Sequence, residues 1–259
     1  MKKLFTLVLS LLLVVTMAGC SSSNTSDNPV AKATLTGNKI IVGTSPDYPP
    51  FESLDAAGNL EGFEISLMEM VVAEINKQNG TKLEVEFKQM DFSLIIGALQ
   101  ASQIDVGCSG FTYSADRDCI FTTPHNISKQ VIVTRNDTGI KSADDLTGKK
   151  VAAGTGTTGA EALAEVIGKD NVLYPGDYTY MMQQLQAGQL DAVVCDEAVG
   201  VNYVDSMGLV VCEEALVDEE MSFIIKTGNT VLADAFNKAV EAVMASSEFE
   251  ALNAQWLAD

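Results

Sequence analysis

The chain has 259 residues, 47% of them apolar, with 16 basic side chains against 35 acidic ones and a formal net charge of −19. That is enough apolar material for one large domain or two modest ones, and so acidic a surface repels phosphate backbones, which argues against a nucleic-acid partner. The only histidine is His125, and the five cysteines form no CxxC or His/Cys group. Zinc sites and histidine-dependent nucleophilic catalysis therefore have no support, and no metal or cofactor is expected.

Residues 1–19 read as a leader: Lys2-Lys3 supplies the positive start and Leu4 to Val15 the apolar run, too short to span a bilayer. Met17-Ala18-Gly19-Cys20 resembles a bacterial lipobox, which predicts cleavage before Cys20, a lipid on its thiol, and attachment to the membrane. Loss of the two leader lysines takes the charge from −19 to −21. Residues 20–37 are serine-rich and polar, the composition of a flexible tether. Spacing does not establish how Cys108, Cys119, Cys195 and Cys212 pair.

Lys39 to Thr44 predicts the first strand, running into a segment whose three prolines (Pro46, Pro49, Pro50) exclude helix and central strand. Gly62 to Gln78 has helical apolar spacing, with Gly80 as its stop, and Leu83 to Phe87 alternates as a half-buried strand. Asp91 to Asp105 (DFSLIIGALQASQID) then returns without a gap as Asp177 to Asp191 (DYTYMMQQLQAGQLD). Each copy reads as an amphipathic helix, a small-residue turn and a strand; chance likeness between two ordinary αβ units is the alternative. Between the copies, Lys149 to Ala153 predicts a strand and Gly159 to Ile167 a helix. After them come strands at Leu209 to Cys212 and Met221 to Ile225, then helices at Val231 to Met244 and Glu248 to Leu257.

Alternation of strands and helices predicts an α/β fold, and the repeated unit predicts two similar lobes. Crossings near Ser128 to Arg135 and Glu219 to Lys226 would form the hinge. The expected division is 38–130 for the first part of lobe 1, 131–220 for lobe 2, and 221–259 for the return to lobe 1. Open α/β sheets bind ligands beyond the carboxyl ends of their strands, which points to the gap between the lobes.

Residues at those strand ends carry the candidate chemistry. Ser45, Asp47 and Tyr48 sit in the proline-stiffened segment, which is otherwise a surface loop. Phe92 opens a helix, where core packing is the ordinary role of an aromatic. Arg117, flanked by two acids, is either a solvated charge or a fork for a carboxylate. Gly154 to Gly159 fits GxGxxG, but export, the lack of an acid ending a second strand and the negative surface argue against a dinucleotide. The turn still offers N–H groups at a helix start, suited to a carboxylate. Asp196 follows the second copy's strand and is either a helix cap or a partner for an ammonium group. Arg117 and Asp196, opposite charges at corresponding ends, suit a zwitterion, and an α-amino acid is the commonest small one outside a cell.

Together TSPDYPPFE, GFEISL, MDFSLIIGALQASQIDVGCSGFTYSADR, DLTGKKVAAGTGTTG and LQAGQLDAVVCDE resemble the solute-binding proteins of polar-amino-acid ABC importers, over about Lys39 to Trp256. The resemblance implies a two-lobed periplasmic-binding-protein-like fold (type II) with two hinge strands, capture of a free amino acid, and delivery to an ABC transporter permease outside the cytoplasm. It implies that Arg117 binds the ligand carboxylate, assisted by Ser109, Gly110, Thr112, Thr157 and Thr158. It further implies that Asp196 takes the ammonium group and that Tyr48 and Phe92 sandwich the side chain. Ser45 stands where glutamine and basic-amino-acid binders carry an acid, which leans the expectation toward an uncharged or small polar ligand. The alternative function is an enzyme on the same fold, similar to cyclohexadienyl or arogenate dehydratases, with Glu197 or Asp47 as general acid.

Overall fold

The computed structural model describes residue 35 and residues 37–257. The expected leader, the expected lipid attachment at Cys20 and most of the expected tether lie outside the described residues. Among the described residues, no helix is long and apolar enough to cross a membrane.

The chain builds one mixed sheet with helices on both faces. Its first half holds β1 (Lys39–Thr44), the short pair β2 (Ser53–Leu54) and β3 (Leu60–Glu61), α1 (Phe63–Asn79), β4 (Glu84–Gln89), α2 (Phe92–Gln100), β5 (Val106–Thr112) and β6 (Cys119–Phe121). Then β7 (Asn126–Arg135) crosses to the second half: β8 (Val151–Ala153), α3 (Thr158–Ile167), α4 (Tyr178–Gln186), β9 (Ala192–Asp196) and α5 (Glu197–Met207). Strand β10 (Leu209–Lys226) crosses back, and α6 (Thr230–Met244) and α7 (Ser247–Trp256) close the chain. The main strand order is β4-β1-β5-β10-β7-β9-β8.

Strand β10 differs from the sequence expectation. Leu209 to Cys212 and Met221 to Ile225 are not two strands but the ends of one, 18 residues long. The acidic stretch between them looks like a loop by composition. It is held extended by pairing with β7, from Leu209↔Arg135 to Met221↔Asn126, with irregularities either side of Ala215. Solvent takes Glu213, Glu214, Asp218 and Glu220, so the charges cost nothing in desolvation. Past the crossing, β10 pairs instead with β5 and β6. These two long strands, β7 and β10, are the hinge strands that join the lobes.

Period-two alternation sorts the core. In the first lobe Val106 and Cys108 pack toward α1 and α6 with Leu67, Val71 and Phe236, while Phe111 and Ile224 meet Ile95 and Leu99 of α2 on the opposite face. In the second, Ala192 and Val194 face Leu163 of α3, and Val193 and Cys195 face Met181 and Leu185 of α4. Both faces are covered, hence the near-continuous apolar runs.

The repeat is structural. Helices α2 and α4 start at 92 and 178, end at 100 and 186, and lead to strands starting at 106 and 192, a uniform offset of 86 positions. The turns match as well: Ser102 (φ 56°) and Gly188 (φ 74°) both hold left-handed backbone. So do the anchors. Asp105 accepts the Ile41 N–H at 2.9 Å and Asp191 accepts the Lys150 N–H at 2.8 Å, each tying its unit to the neighbouring strand.

Candidate binding cleft

Both copies of the repeat point their helix starts at one cleft of about 370 Å³. From the first lobe it is lined by Ser45, Asp47, Tyr48 and Glu52 of the proline segment, by Asp91 to Ser93, by Ser109 and Gly110 at the end of β5, and by Arg117. From the second lobe come Gly154, Thr155, Thr157 and Thr158 of the glycine turn, Gly176, Asp177 and Tyr178 at the start of α4, and Asp196. Gln130 of hinge strand β7 completes it.

Of the residues singled out by sequence, Ser45, Tyr48, Phe92, Ser109, Gly110, Arg117, Thr157, Thr158 and Asp196 share this cleft. Glu197 lies outside it, paired with Lys129 at 2.8 Å, and so does Thr112. It is buried at the end of β5, where its hydroxyl donates to Glu219 Oε2 at 3.0 Å and its carbonyl accepts from Arg117 Nη1 at 2.5 Å. It holds the arginine and does not line the cavity.

Arg117 lies across two aromatic faces, its guanidinium carbon 5.7 Å from the Phe92 centroid and 5.4 Å from that of Phe111. Phe92 and Phe111 are themselves stacked at 4.6 Å, so the first-lobe aromatic is a platform for the cation. Tyr48 packs on Tyr178 of the opposite lobe, also at 4.6 Å.

Asp196 ends β9 with its side chain buried. Its Oδ2 accepts from the Tyr48 hydroxyl at 2.6 Å and from Gln130 Nε2 at 2.9 Å, while its own N–H donates to the Tyr48 oxygen at 2.9 Å. Among the described residues its buried Oδ1 has no hydrogen-bond partner. Burial, then the nearby Glu219 carboxylate, push its pKa up to about 7. A buried acceptor with a free oxygen is completed by a ligand that brings N–H donors.

Below these groups lies a polar floor. Glu52 is fully buried and accepts from Ser109 Oγ at 3.0 Å; its Oε2 has no hydrogen-bond partner among the described residues. Burial, then Glu64, push its pKa well above the usual carboxylate value. Glu64 takes the Gly110 N–H at 2.8 Å and meets His125 Nε2 at 2.7 Å. These contacts fix the Ser109-Gly110 backbone at the cleft wall.

The GxGxxG turn has a packing reason for its glycines. A Cβ on Gly154 would come within 2.9 Å of the Tyr178 ring, and one on Gly159 within 2.3 Å of Gln130 Oε1. Thr157 caps α3, its Oγ1 accepting the Ala160 N–H at 3.1 Å.

Direct bonds cross the cleft. Besides Tyr48 to Asp196, the Tyr178 N–H donates to Asp47 Oδ2 at 3.0 Å, and Arg117 Nη2 donates to the Gly156 carbonyl at 3.0 Å. Asp47 is also held by the Ser45 hydroxyl at 2.7 Å. Sequence reasoning missed Gln130, Glu219 and Tyr178. Gln130 lies mid-strand, and Tyr178 is the first residue of α4 in the second copy of the repeat.

Two lobes joined by two strands, with a cleft carrying a guanidinium from one lobe and a carboxylate from the other, define a binding protein for a small dipolar solute. Residues 40–259 match the family described as bacterial extracellular solute-binding proteins, family 3, and the chain belongs to it. It is 29% identical over 269 residues to the arginine-binding extracellular protein ArtP of Bacillus subtilis (strain 168), covering 99% of this chain and 98% of that one. Among solved structures it is similar to an ancestral arginine-binding protein bound to glutamine, at 33% identity and a TM-score of 0.78, covering 86% of this chain and all of the other. It is also similar to the ancestral amino acid-binding protein AncCDT-1, a precursor of cyclohexadienyl dehydratase, at 29% identity and a TM-score of 0.75, over 85% of this chain and 95% of that one. Membership of an extracellular family sets the chain outside the cytoplasm.

Proposed function

We propose that the cleft captures a free α-amino acid between the lobes and that the chain delivers it to the permease of an ABC importer. The observation that carries this reading is Arg117 and Asp196 lining one cavity from opposite lobes. Arg117 grips the ligand carboxylate through its guanidinium fork, with Ser109, Gly110, Thr157 and Thr158 shaping the wall around it; the Ser109 and Thr157 hydroxyls and the Gly110 N–H are bonded within the protein and hold that wall in place. The ammonium group meets Asp196 at its unpartnered Oδ1. Tyr48 and Phe92 bound the side chain. The lobes are taken as 38–130 with 221–259, and 131–220, closing about the ligand because only the closed form offers both poles. Attachment through a lipid on Cys20, after removal of residues 1–19, keeps the receptor beside its permease.

Ser45 supports an uncharged or small polar side chain. A cationic one is the second reading, favoured by Asp47, which Ser45 turns into the cleft, and by Asp91 and Asp177 at its edge. A thermal-shift screen of the twenty common amino acids decides: a ligand that binds only the folded state at a hundred times its Kd adds about 2.7 kcal/mol of stability. Neutral amino acids giving the largest shifts support the first reading, arginine or lysine the second, and no shift from any overturns amino-acid capture. Asp47, which lines the cleft as a candidate general acid, and the likeness to AncCDT-1 keep one enzymatic alternative, tested by turnover of prephenate or arogenate. Binding without turnover is the expected outcome.

A further inference from the structure

Under the cleft, hydrogen bonds connect its two charged poles through the hinge. From Arg117 the path enters Thr112 at its carbonyl and leaves by its hydroxyl to Glu219 Oε2 at 3.0 Å. The same Glu219 oxygen accepts from Gln130 Nε2 at 2.9 Å, and that nitrogen gives its other N–H to Asp196 Oδ2 at 2.9 Å. Glu219 belongs to β10 and Gln130 to β7, the strands joining the lobes, and Gln130 lies directly across from Asp196 in the sheet. All four of these side chains beyond Arg117 are buried: Thr112, Glu219, Gln130 and Asp196.

We propose that Gln130 and Glu219 are positioning residues that set both the orientation and the charge of Asp196 for the ligand's ammonium group, an inference that rests on the reading of the cleft above. A carboxamide nitrogen is suited to the place because it donates two hydrogen bonds and carries no charge. It therefore bridges two carboxylates that would otherwise face each other unscreened. Engaging Oδ2 with Gln130 and Tyr48 leaves Oδ1 as the free acceptor. The oxygen of the same carboxamide, Oε1, is buried without a hydrogen-bond partner among the described residues and lies against Gly159 at the start of α3, where an added Cβ would be only 2.3 Å away.

The groups facing Asp196 are Glu219 from β10, Gln130 and Ser128 from β7, Tyr48 from the first lobe, Tyr178 from α4, and Cys195 on its own strand. Glu197 follows it in the chain and is paired with Lys129 at 2.8 Å. Arg117 lies elsewhere on the cleft wall. Glu219 is the nearby charge that opposes ionisation of Asp196, and Gln130 is among the donors that favour it. The two residues push its titration in opposite directions.

The test is calorimetric titration of the full mature chain with each of the twenty L-amino acids at pH 5 to 9. In the parent, affinity rises as Asp196 ionises, with a midpoint near its pKa of about 7. Glu219→Gln keeps an oxygen to accept from Thr112 and Gln130 but removes the charge; the midpoint should fall by on the order of one pH unit. Gln130→Met removes both donors; the midpoint should rise, and affinity at pH 7 should drop about tenfold or more. Opposite shifts are not the signature of a merely structural defect. Profiles that superimpose on the parent, or move in one direction together, overturn the proposal. If Gln130→Met does not fold, the Glu219→Gln profile decides alone. Retained binding in Asp196→Asn would instead remove the underlying reading of the cleft.

Discussion

Burial and the carboxylate of Glu219 raise the pKa of Asp196 to about 7, against about 3.9 in an unfolded chain. The folded protein thus holds this proton more tightly, and the sign of the linkage follows. Below pH 4 the group is protonated in both states and costs nothing. As pH rises from 4 to 7 the unfolded state releases its proton first, stability falls, and the cost is complete above pH 7. Asp196→Asn should therefore stabilise the folded chain more at pH 8 than at pH 5, by about 1–3 kcal/mol after loss of some hydrogen-bond quality, while abolishing amino-acid binding. Denaturant unfolding at the two pH values measures this; equal or opposite effects would contradict it. Tyr48 is the neighbouring case: its hydroxyl donates to Asp196, and burial with that carboxylate keeps the phenol protonated. Such an arrangement trades stability for a site ready to receive an ammonium group.

The repeated αβ unit was legible from residues because its constraints are local. Asp91 and Asp177 start their helices, Asp105 and Asp191 tie down neighbouring strands, and the turn between needs one left-handed residue in each copy. That position is Gly188 in one copy and Ser102 in the other. Gly188→Ala should cost about 1 kcal/mol through backbone strain alone, since the added methyl meets nothing closer than 3.8 Å. Melting temperature reads the loss, and an unchanged value would mean that the turn relaxes. Strand β10 was legible only at its ends. The acidic stretch between them has no strand pattern of its own, and it is extended because β7 pairs with it over most of its length. Gln130 was missed for a related reason: an isolated polar residue in an apolar strand gives no sign of which buried partners it will find.

Across the whole molecule, the cleft was anticipated because the same unit occurs twice and its polar ends converge. The bonds that span it depend on side-chain directions that no spacing rule supplies. Tyr48 to Asp196, Tyr178 to Asp47 and Arg117 to Gly156 hold the lobes together directly. Tyr48→Phe removes one of these contacts and should shift the ligand-free protein toward more open forms. Small-angle scattering should then give a larger radius of gyration without ligand and a larger contraction on adding it. Identical scattering from variant and parent would mean that this contact does not hold the lobes.

The central claim is that one α-amino acid is held by opposite charges from opposite lobes, and calorimetric titration of Arg117→Ala tests it most directly. The account predicts at least a hundredfold loss of amino-acid affinity, a cost of about 2.7 kcal/mol or more, in a variant that still folds cooperatively, its ligand-free melting temperature lowered by the lost contacts to Thr112 and Gly156. Parent-like affinity in that variant would contradict the account.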